Sequence, residues 1–348
     1  MLTEKQVKEI KVHLEKAQNP LFLFDNDQDG LCSFLILQRF IQRGKGYPVK
    51  VSPQMTGDYF RKVKELNSDY IFILDQPEVS EEFFQEVKEN NIPLVWIDHH
   101  DIPDIKIPNF VNYYNPAYDN KGKVSEPTTA LCYQVTQQKK DLWLGVVGCI
   151  ADHFIPKFYE DFKKEYPELS IDSKDPFEIF YKSEIGKISR MLGFGLKDRM
   201  SNVIFMMKMV YNSKNPYDIL NESKENKFLT SKFLEIDKKF NHLIDKAKQQ
   251  VSEKLLFFKY AGETSMSADI ANKLSFIYPK KTIIVLYDKG ARVNISGRGK
   301  NIRKLVVNAI KDLKNSTGGG HPEAVGAQIN KSNVDQFEKN IKKALNIK

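Results

Sequence analysis

The sequence predicts an α/β fold: a doubly wound, mainly parallel sheet followed by a second, smaller mixed α/β domain. Short continuous apolar runs at residues 20–24, 70–74 and 92–97 each end in an acidic or histidine cluster, and such runs suit parallel strands buried on both faces. The helical segment SEEFFQEVKENN separates the second run from the third, so the order is strand, helix, strand. The length of 348 residues exceeds the roughly 100–150 of a single domain.

The first run leads through Asp25-Asn26-Asp27-Gln28-Asp29-Gly30 into an apolar helix pattern at 31–37. The second run ends at Asp75 and the third at Asp98-His99-His100. In open α/β sheets the ligand crevice lies beyond the carboxyl ends of the strands, so the three clusters point to one edge. A helix is expected at 127–139, and the apolar stretch 142–151 reads as a buried helix closing at Asp152. Residues 156–187 read as helices and loops, and 200–211 as a core helix.

The charged stretch 228–254 is expected to be a helix linking a first domain, 1–227, to a second, 255–348. In the second domain, strands are expected at 255–260, 281–287, 291–296 and 324–329, and helices at 267–276 and 302–313. Gly318-Gly319-Gly320 reads as a flexible segment whose N–H groups would form an anion nest beside His321.

Composition narrows the classes of function. At 41% hydrophobic and 28% charged residues the chain can build real cores. Cys32, Cys132 and Cys149 are scattered and form no CxxC pair, which argues against a disulfide framework or a thiolate zinc site. No secretory leader and no run of about 20 apolar residues is present, so a cytoplasmic protein with no membrane partner is expected. The net charge of +8 favours polyanionic partners weakly.

Asp25, Asp27 and Asp29 alternate, so in an extended segment at least two carboxylates share a face. Taken alone, such a run also suits a calcium-loop lookalike or a solvated turn. Closely spaced anions repel unless a cation neutralises them. Carboxylates with imidazole suit Mn²⁺, Mg²⁺ or Zn²⁺, and Asp75, His99 and Asp152 would add ligands from neighbouring elements. That many donors exceed the needs of one octahedral ion, so a pair of ions roughly 3.5 to 4 Å apart is expected.

The combination of LFDNDQDG, IFILDQP, WIDHHD and GCIADH resembles the DHH phosphoesterase superfamily, and the segment 318–326, GGGHPEAVG, resembles its companion DHHA1 domain. The resemblance implies that Asp27, Asp29, Asp75, His99 and Asp152 carry two Mn²⁺, with Mg²⁺ as the alternative, and that Asp75 bridges them. Asp25 stands where RecJ-like members place an extra acid. Leu23 occupies the position of a histidine found in pyrophosphatases and some nano-RNases, which favours the archaeal RecJ-like branch.

Phosphodiester hydrolysis by in-line attack of an activated water is the expected reaction, with Asp27, Asp75, His99 and His100 at the reacting centre. His100 would touch the scissile phosphate, assist a proton transfer or orient a ligand. Arg298 and Arg292 are candidate phosphate contacts, together with Gly319, Gly320 and His321. A cleft between two lobes would hold a chain end, which implies exonucleolytic trimming of single strands or very short oligonucleotides; the resemblance to compact archaeal RecJ-like members implies single-stranded DNA as substrate, RNA as well, and a leaning to 3′–5′ polarity. The alternatives are a nano-RNase or cyclic-dinucleotide or pAp phosphodiesterase, and a non-catalytic replication or repair scaffold. A helicase or replisome protein is the expected protein partner.

Overall fold

Each opening element is set by a local signal. Helix α1 (Glu4–Lys16) starts at Thr3, whose hydroxyl accepts from the Gln6 amide while the Gln6 side chain returns to the Thr3 N–H. That reciprocal cap satisfies two backbone donors a helix start would otherwise leave open. Strand β1 (Pro20–Asp25) runs into α2 (Gln28–Ile41), and β2 (Lys45–Val49) follows after a tight turn. Gly30 in the first turn of α2 lies so close to the Asp25 carbonyl that any side chain there would collide with it. That contact seats the helix start on the strand end.

The computed structural model describes residues 1–50, 54–102, 105–119, 126–224 and 226–347 and divides them into two compact units, Met1–Phe233 and Leu234–Lys348. In the first unit β3 (Tyr70–Leu74), α3 (Glu81–Glu89), β4 (Leu94–Ile97) and β5 (Val111–Tyr114) complete a five-stranded sheet. Its order is β2-β1-β3-β4-β5 and every neighbouring pair is parallel. The order reverses between β1 and β3, which makes that seam the topological switch point where such sheets open a crevice. One face packs Leu21, Leu23, Ile71, Ile73 and Trp96 against Phe60, Phe83 and Val87.

Helices α4 (Thr128–Thr136) and α5 (Leu142–Ala151) pack beside α2, and α5 is buried almost throughout, as its unbroken apolar sequence predicts. Further on lie α6 (Glu184–Leu196), α7 (Met200–Asn212) and α8 (Lys227–Lys248). Two strands of this five-stranded sheet were not expected from sequence. β2 contains a glycine and a proline, and β5 reads VNYY with two half-buried residues, so neither presents the continuous apolar run of a central strand. Both lie at the sheet edges.

The second unit contains a sheet of order β9-β10-β8-β7-β6, formed by β6 (Leu255–Ala261), β7 (Thr282–Asp288), β8 (Arg292–Arg298), β9 (Thr317–His321) and β10 (Ala324–Asn330). β6 and β7 are parallel and the other pairs antiparallel. Helix α9 (Ser267–Ile277) packs on β7 and β8, while α10 (Ile302–Ile310) and α11 (Val334–Ala344) share a core with Val293, Ile295 and Ile329. Helix α11 is amphipathic and was not anticipated. The triple glycine, read from sequence as a flexible segment, is paired: Gly318, Gly319 and Gly320 belong to edge strand β9, in register with Ala327, Gly326 and Val325 of β10.

A buried ion pair fixes the far end of α2. Arg39 Nε lies 2.6 Å from an Asp141 carboxylate oxygen, both side chains are almost wholly buried, and the guanidinium also donates to the carbonyls of Val210, Tyr211 and Ser213. Removing one partner of such a pair strands the other charge in the interior. Arg39→Met should therefore cost about 3–5 kcal/mol in urea unfolding. A loss below about 1 kcal/mol would show that the clamp carries little of the fold.

Candidate metal centre

Parallel register lines up the ends of three strands. Phe24 pairs with Leu74 and Leu74 with Ile97, so Asp25, Asp75 and Asp98 follow one another along the carboxyl edge of the sheet. The Asp75 N–H donates to the Ile97 carbonyl at 3.0 Å and the Asp98 N–H to the Tyr114 carbonyl at 3.1 Å, which extends the ladder by one rung. Asp75 then turns with φ of 60°, in the left-handed region that aspartate tolerates better than most residues.

Asp25, Asp27 and Asp29 do not converge by strand alternation, because only Asp25 is in the strand. Asp27 is the N-cap of α2, accepting from the Gly30 amide at 3.0 Å, and Asp29 lies in the first turn of that helix. The strand-to-helix bend performs the gathering. Asp29 is buried and accepts from the backbone amides of Thr128 at 2.9 Å and Thr129 at 2.7 Å, at the start of α4. The Thr128 hydroxyl donates to Asp75 at 3.1 Å.

His99 sits among these acids. Its Nε2 lies 3.3 Å from Asp75, 3.8 Å from Asp29 and 3.8 Å from Asp152, the residue that ends α5. Three triads bring one potential ligand atom each to within 4.8 Å of the others: Asp25, Asp27 and Asp75; Asp29, His99 and Asp152; Asp75, His99 and His100. Asp75 belongs to two of them. The predicted residues Asp25, Asp27, Asp29, Asp75, His99, His100 and Asp152 thus meet at one place in the first unit.

The electrostatics fit a cation. Burial and the adjacent Asp27 charge push the Asp25 carboxyl up to about 7, and burial and the Asp29 charge hold Asp75 well above the usual carboxylate range. Oxygen donors with imidazole suit Mn²⁺ and Mg²⁺. Burial and the nearby Asp29 charge push the Cys32 and Cys149 thiols well above the usual thiol range.

Four supporting residues, Asp98, Asn115, Thr128 and Thr129, were not assigned a role from sequence. Asp98, fully buried, accepts from His100 Nδ1 at 2.8 Å. Burial alone would lower the His100 pKa, but the Asp98 carboxylate, with Asp152 and Asp25 behind it, raises the imidazole to about 9. Asn115 donates to Asp98 at 3.2 Å and to the His100 carbonyl at 2.9 Å. Thr128 opens the Thr-Thr pair after Pro127, and a threonine pair behind a proline at a helix start was the legible sign of amides free to bind a carboxylate.

The second-unit residues stand apart from this cluster in character. Arg298 ends β8 and donates to Asn272 at 2.6 Å and to the Gly297 carbonyl at 2.7 Å. Arg292 donates to Gln328 at 2.8 and 3.0 Å and to Asn330 at 3.0 Å, a cross-strand clamp on the sheet. Gly319 has open space where a side chain would stand, whereas Gly320 has φ of 134°, a backbone conformation that favours glycine. The side chain of His321 lies outside the described residues.

Residues 21–155 match the DHH family, N-terminal domain, and residues 239–346 match the DHHA1 domain. The chain belongs to the DHH/DHHA1 phosphoesterase superfamily. Among solved structures it is similar to RecJ from Thermus thermophilus in complex with Mn²⁺, with a TM-score of 0.71 and 13% identity over 98% of this chain and 54% of that one. It therefore spans about half the length of that RecJ. It is also similar to CDC45 from Entamoeba histolytica, TM-score 0.55 and 10% identity over 97% and 98% of the two chains. A third is the pGpG-specific phosphodiesterase PggH from Vibrio cholerae, TM-score 0.52 and 14% identity over 94% and 99%. At these identities the likeness is one of fold. No curated protein matches the sequence.

The raised Asp25 pKa has a thermodynamic consequence. Between the ordinary value of 3.8 and about 7 the folded chain holds a proton that the unfolded chain has released. Stability of the metal-free protein therefore falls as pH rises through that window, by a few kcal/mol at most. Its melting temperature should drop between about pH 4 and pH 8, less steeply in Asp25→Asn, and Mn²⁺ added at about pH 7.5 should restore it. An identical slope in the variant, or no response to Mn²⁺, would contradict the charge-crowding account.

Proposed function

We propose that this chain is a Mn²⁺-dependent phosphodiesterase that trims single-stranded nucleic acid from an end, 3′ to 5′, in the manner of compact archaeal RecJ-like exonucleases. The observation that carries this reading is the gathering of acids and imidazoles from four separate parts of the first unit into overlapping triads. Asp27, Asp29, Asp75, His99 and Asp152, with Asp25, are the residues that would hold two cations, and Asp75, shared by two triads, is the natural bridge. When bound, such cations supply Lewis acidity that acidifies a water and offsets charge on the phosphate oxygens.

The chain's own groups complete the site. Thr128 and Thr129 fix the Asp29 carboxylate through two amides, and the Thr128 hydroxyl steadies Asp75. Asp98 occupies Nδ1 of His100 and keeps the imidazole protonated at neutral pH, so that its Nε2–H can donate to a non-bridging phosphate oxygen. No protein nucleophile is needed.

A second reading has its own support. The Vibrio cholerae phosphodiesterase matches this chain almost end to end in both directions, as a compact enzyme for two- to five-nucleotide substrates, cyclic dinucleotides or pAp would. The scaffold reading has the complete set of acids against it. Hydrolysis of 5′- and 3′-labelled DNA and RNA ladders, from dinucleotide to 30-mer, separates the three. Progressive shortening from the 3′ end with Mn²⁺ and none with EDTA is expected; products from dinucleotides alone would favour the second reading, and no hydrolysis the third.

Asp75→Asn keeps a residue that tolerates the left-handed backbone while removing a ligand charge. It should lower kcat by about 100-fold or more with the fold intact by circular dichroism; turnover within a few-fold of wild type would overturn the assignment. For His100, the raised pKa predicts that activity falls above about pH 9 as the proton leaves. His100→Gln should have lower kcat and no such fall, and a persisting alkaline limb would contradict the role given to His100.

A further inference from the structure

Charge is divided unequally between the two units. Residues 234–348 hold 22 Lys and Arg against 11 Asp and Glu, net +11, whereas residues 1–233 hold 31 against 34, net −3. The second unit therefore carries more positive charge than the whole chain. A net charge has to be located before it means anything, and part of this one lines a groove.

Helices α10 and α11 cover one face of the second sheet and, with the start of β7, enclose an open cavity of about 670 Å³. Lys300, Lys304 and Lys343 project around it, with Asn301 and Asn308 between them and Asp312 as the single acid. Many surface lysines of this chain are matched to an acid, as Lys239 is to Glu235, Lys331 to Asp288 and Lys342 to Glu338. Among the described residues, none of the three groove lysines has an ion pair or side-chain hydrogen bond. Three exposed ammonium groups facing one trough repel each other and gain from an anion that spans them.

The groove lies on the other face of the second sheet from Arg298, the candidate phosphate contact at the end of β8. On β8, Val293 and Ile295 point into the core shared with α10 and α11, whereas Ser296 bonds Ser267 of α9 and Arg298 bonds Asn272 of α9. Alternate residues of a strand face opposite sides of its sheet. Arg298 therefore belongs to the α9 face and the groove to the other.

We propose that this groove is a docking track for the phosphodiester backbone of a single-stranded nucleic acid. A repeating anion matches several point charges along an open trough, lysine suits phosphate without demanding a base, and the Asn301 and Asn308 amides can pair with phosphates or base edges. The inference rests on the nucleic-acid reading of the substrate given above and adds a second contact surface to it.

The test uses the full chain. Binding of a fluorescein-labelled 20-mer of thymidylate is measured by anisotropy in EDTA at about 50 to 200 mM salt, and hydrolysis of a dinucleotide is measured separately with Mn²⁺. The variant Lys300→Gln/Lys304→Gln/Lys343→Gln should bind at least about tenfold more weakly, with a salt slope smaller by about 2, and should hydrolyse the dinucleotide as wild type does. Lys238→Gln/Lys246→Gln/Lys289→Gln, which removes the same charge elsewhere on the unit, should lose far less. Unchanged affinity in the groove variant, or equal losses in both variants, overturns the track and leaves the catalytic reading standing. A wild type that hydrolyses nothing but loses its 20-mer on groove substitution overturns the catalytic reading and leaves the track standing.

Discussion

Repulsion between carboxylates at one sheet edge is the constraint around which the first unit is organised. Parallel pairing of β1, β3 and β4 puts Asp25, Asp75 and Asp98 in successive positions at the same end. A sheet cannot retain such a row by hydrophobic burial, since burial makes each charge more costly. The surrounding structure supplies compensation, and the remaining demand is what a divalent cation would meet.

Two helix starts contribute most of that compensation. α2 begins with Asp27 as its cap and Asp29 in its first turn, and α4 begins with amides that donate to Asp29. Both helices turn the positive end of their dipole toward the acids. Asp98 is handled differently, by His100 and Asn115, so one carboxylate of the row is committed to holding an imidazole, while Asp75 stays beside His99 and groups with Asp25 and Asp27. The tight approach at Gly30 and the left-handed turn at Asp75 are the backbone features that let these pieces meet.

Much of this was legible because it is encoded by adjacency. An apolar run that stops at an aspartate announces both the strand and the end of it that carries chemistry, which is why Asp25, Asp75 and His99 could be read together. The edge strands β2 and β5 were not legible, because half-exposed strands lack a continuous apolar signature. The strand at the triple glycine was not legible for a related reason: glycine signals backbone freedom, and only pairing with β10 shows that the segment is an edge strand. Supporting contacts such as Thr128 to Asp75, 53 residues apart, depend on tertiary packing that local pattern does not contain.

The two units distribute charge in opposite senses, with the acids concentrated at a sheet edge in one and unpaired lysines around a groove in the other. The account rests first on the acidic edge as a seat for cations. Equilibrium dialysis of the purified chain against Mn²⁺ at neutral pH, with metal counted per protein, tests this most directly. Two ions per chain are predicted, falling to one or none when Asp75 is replaced by asparagine; a wild-type chain that retains no manganese would contradict the account at its root.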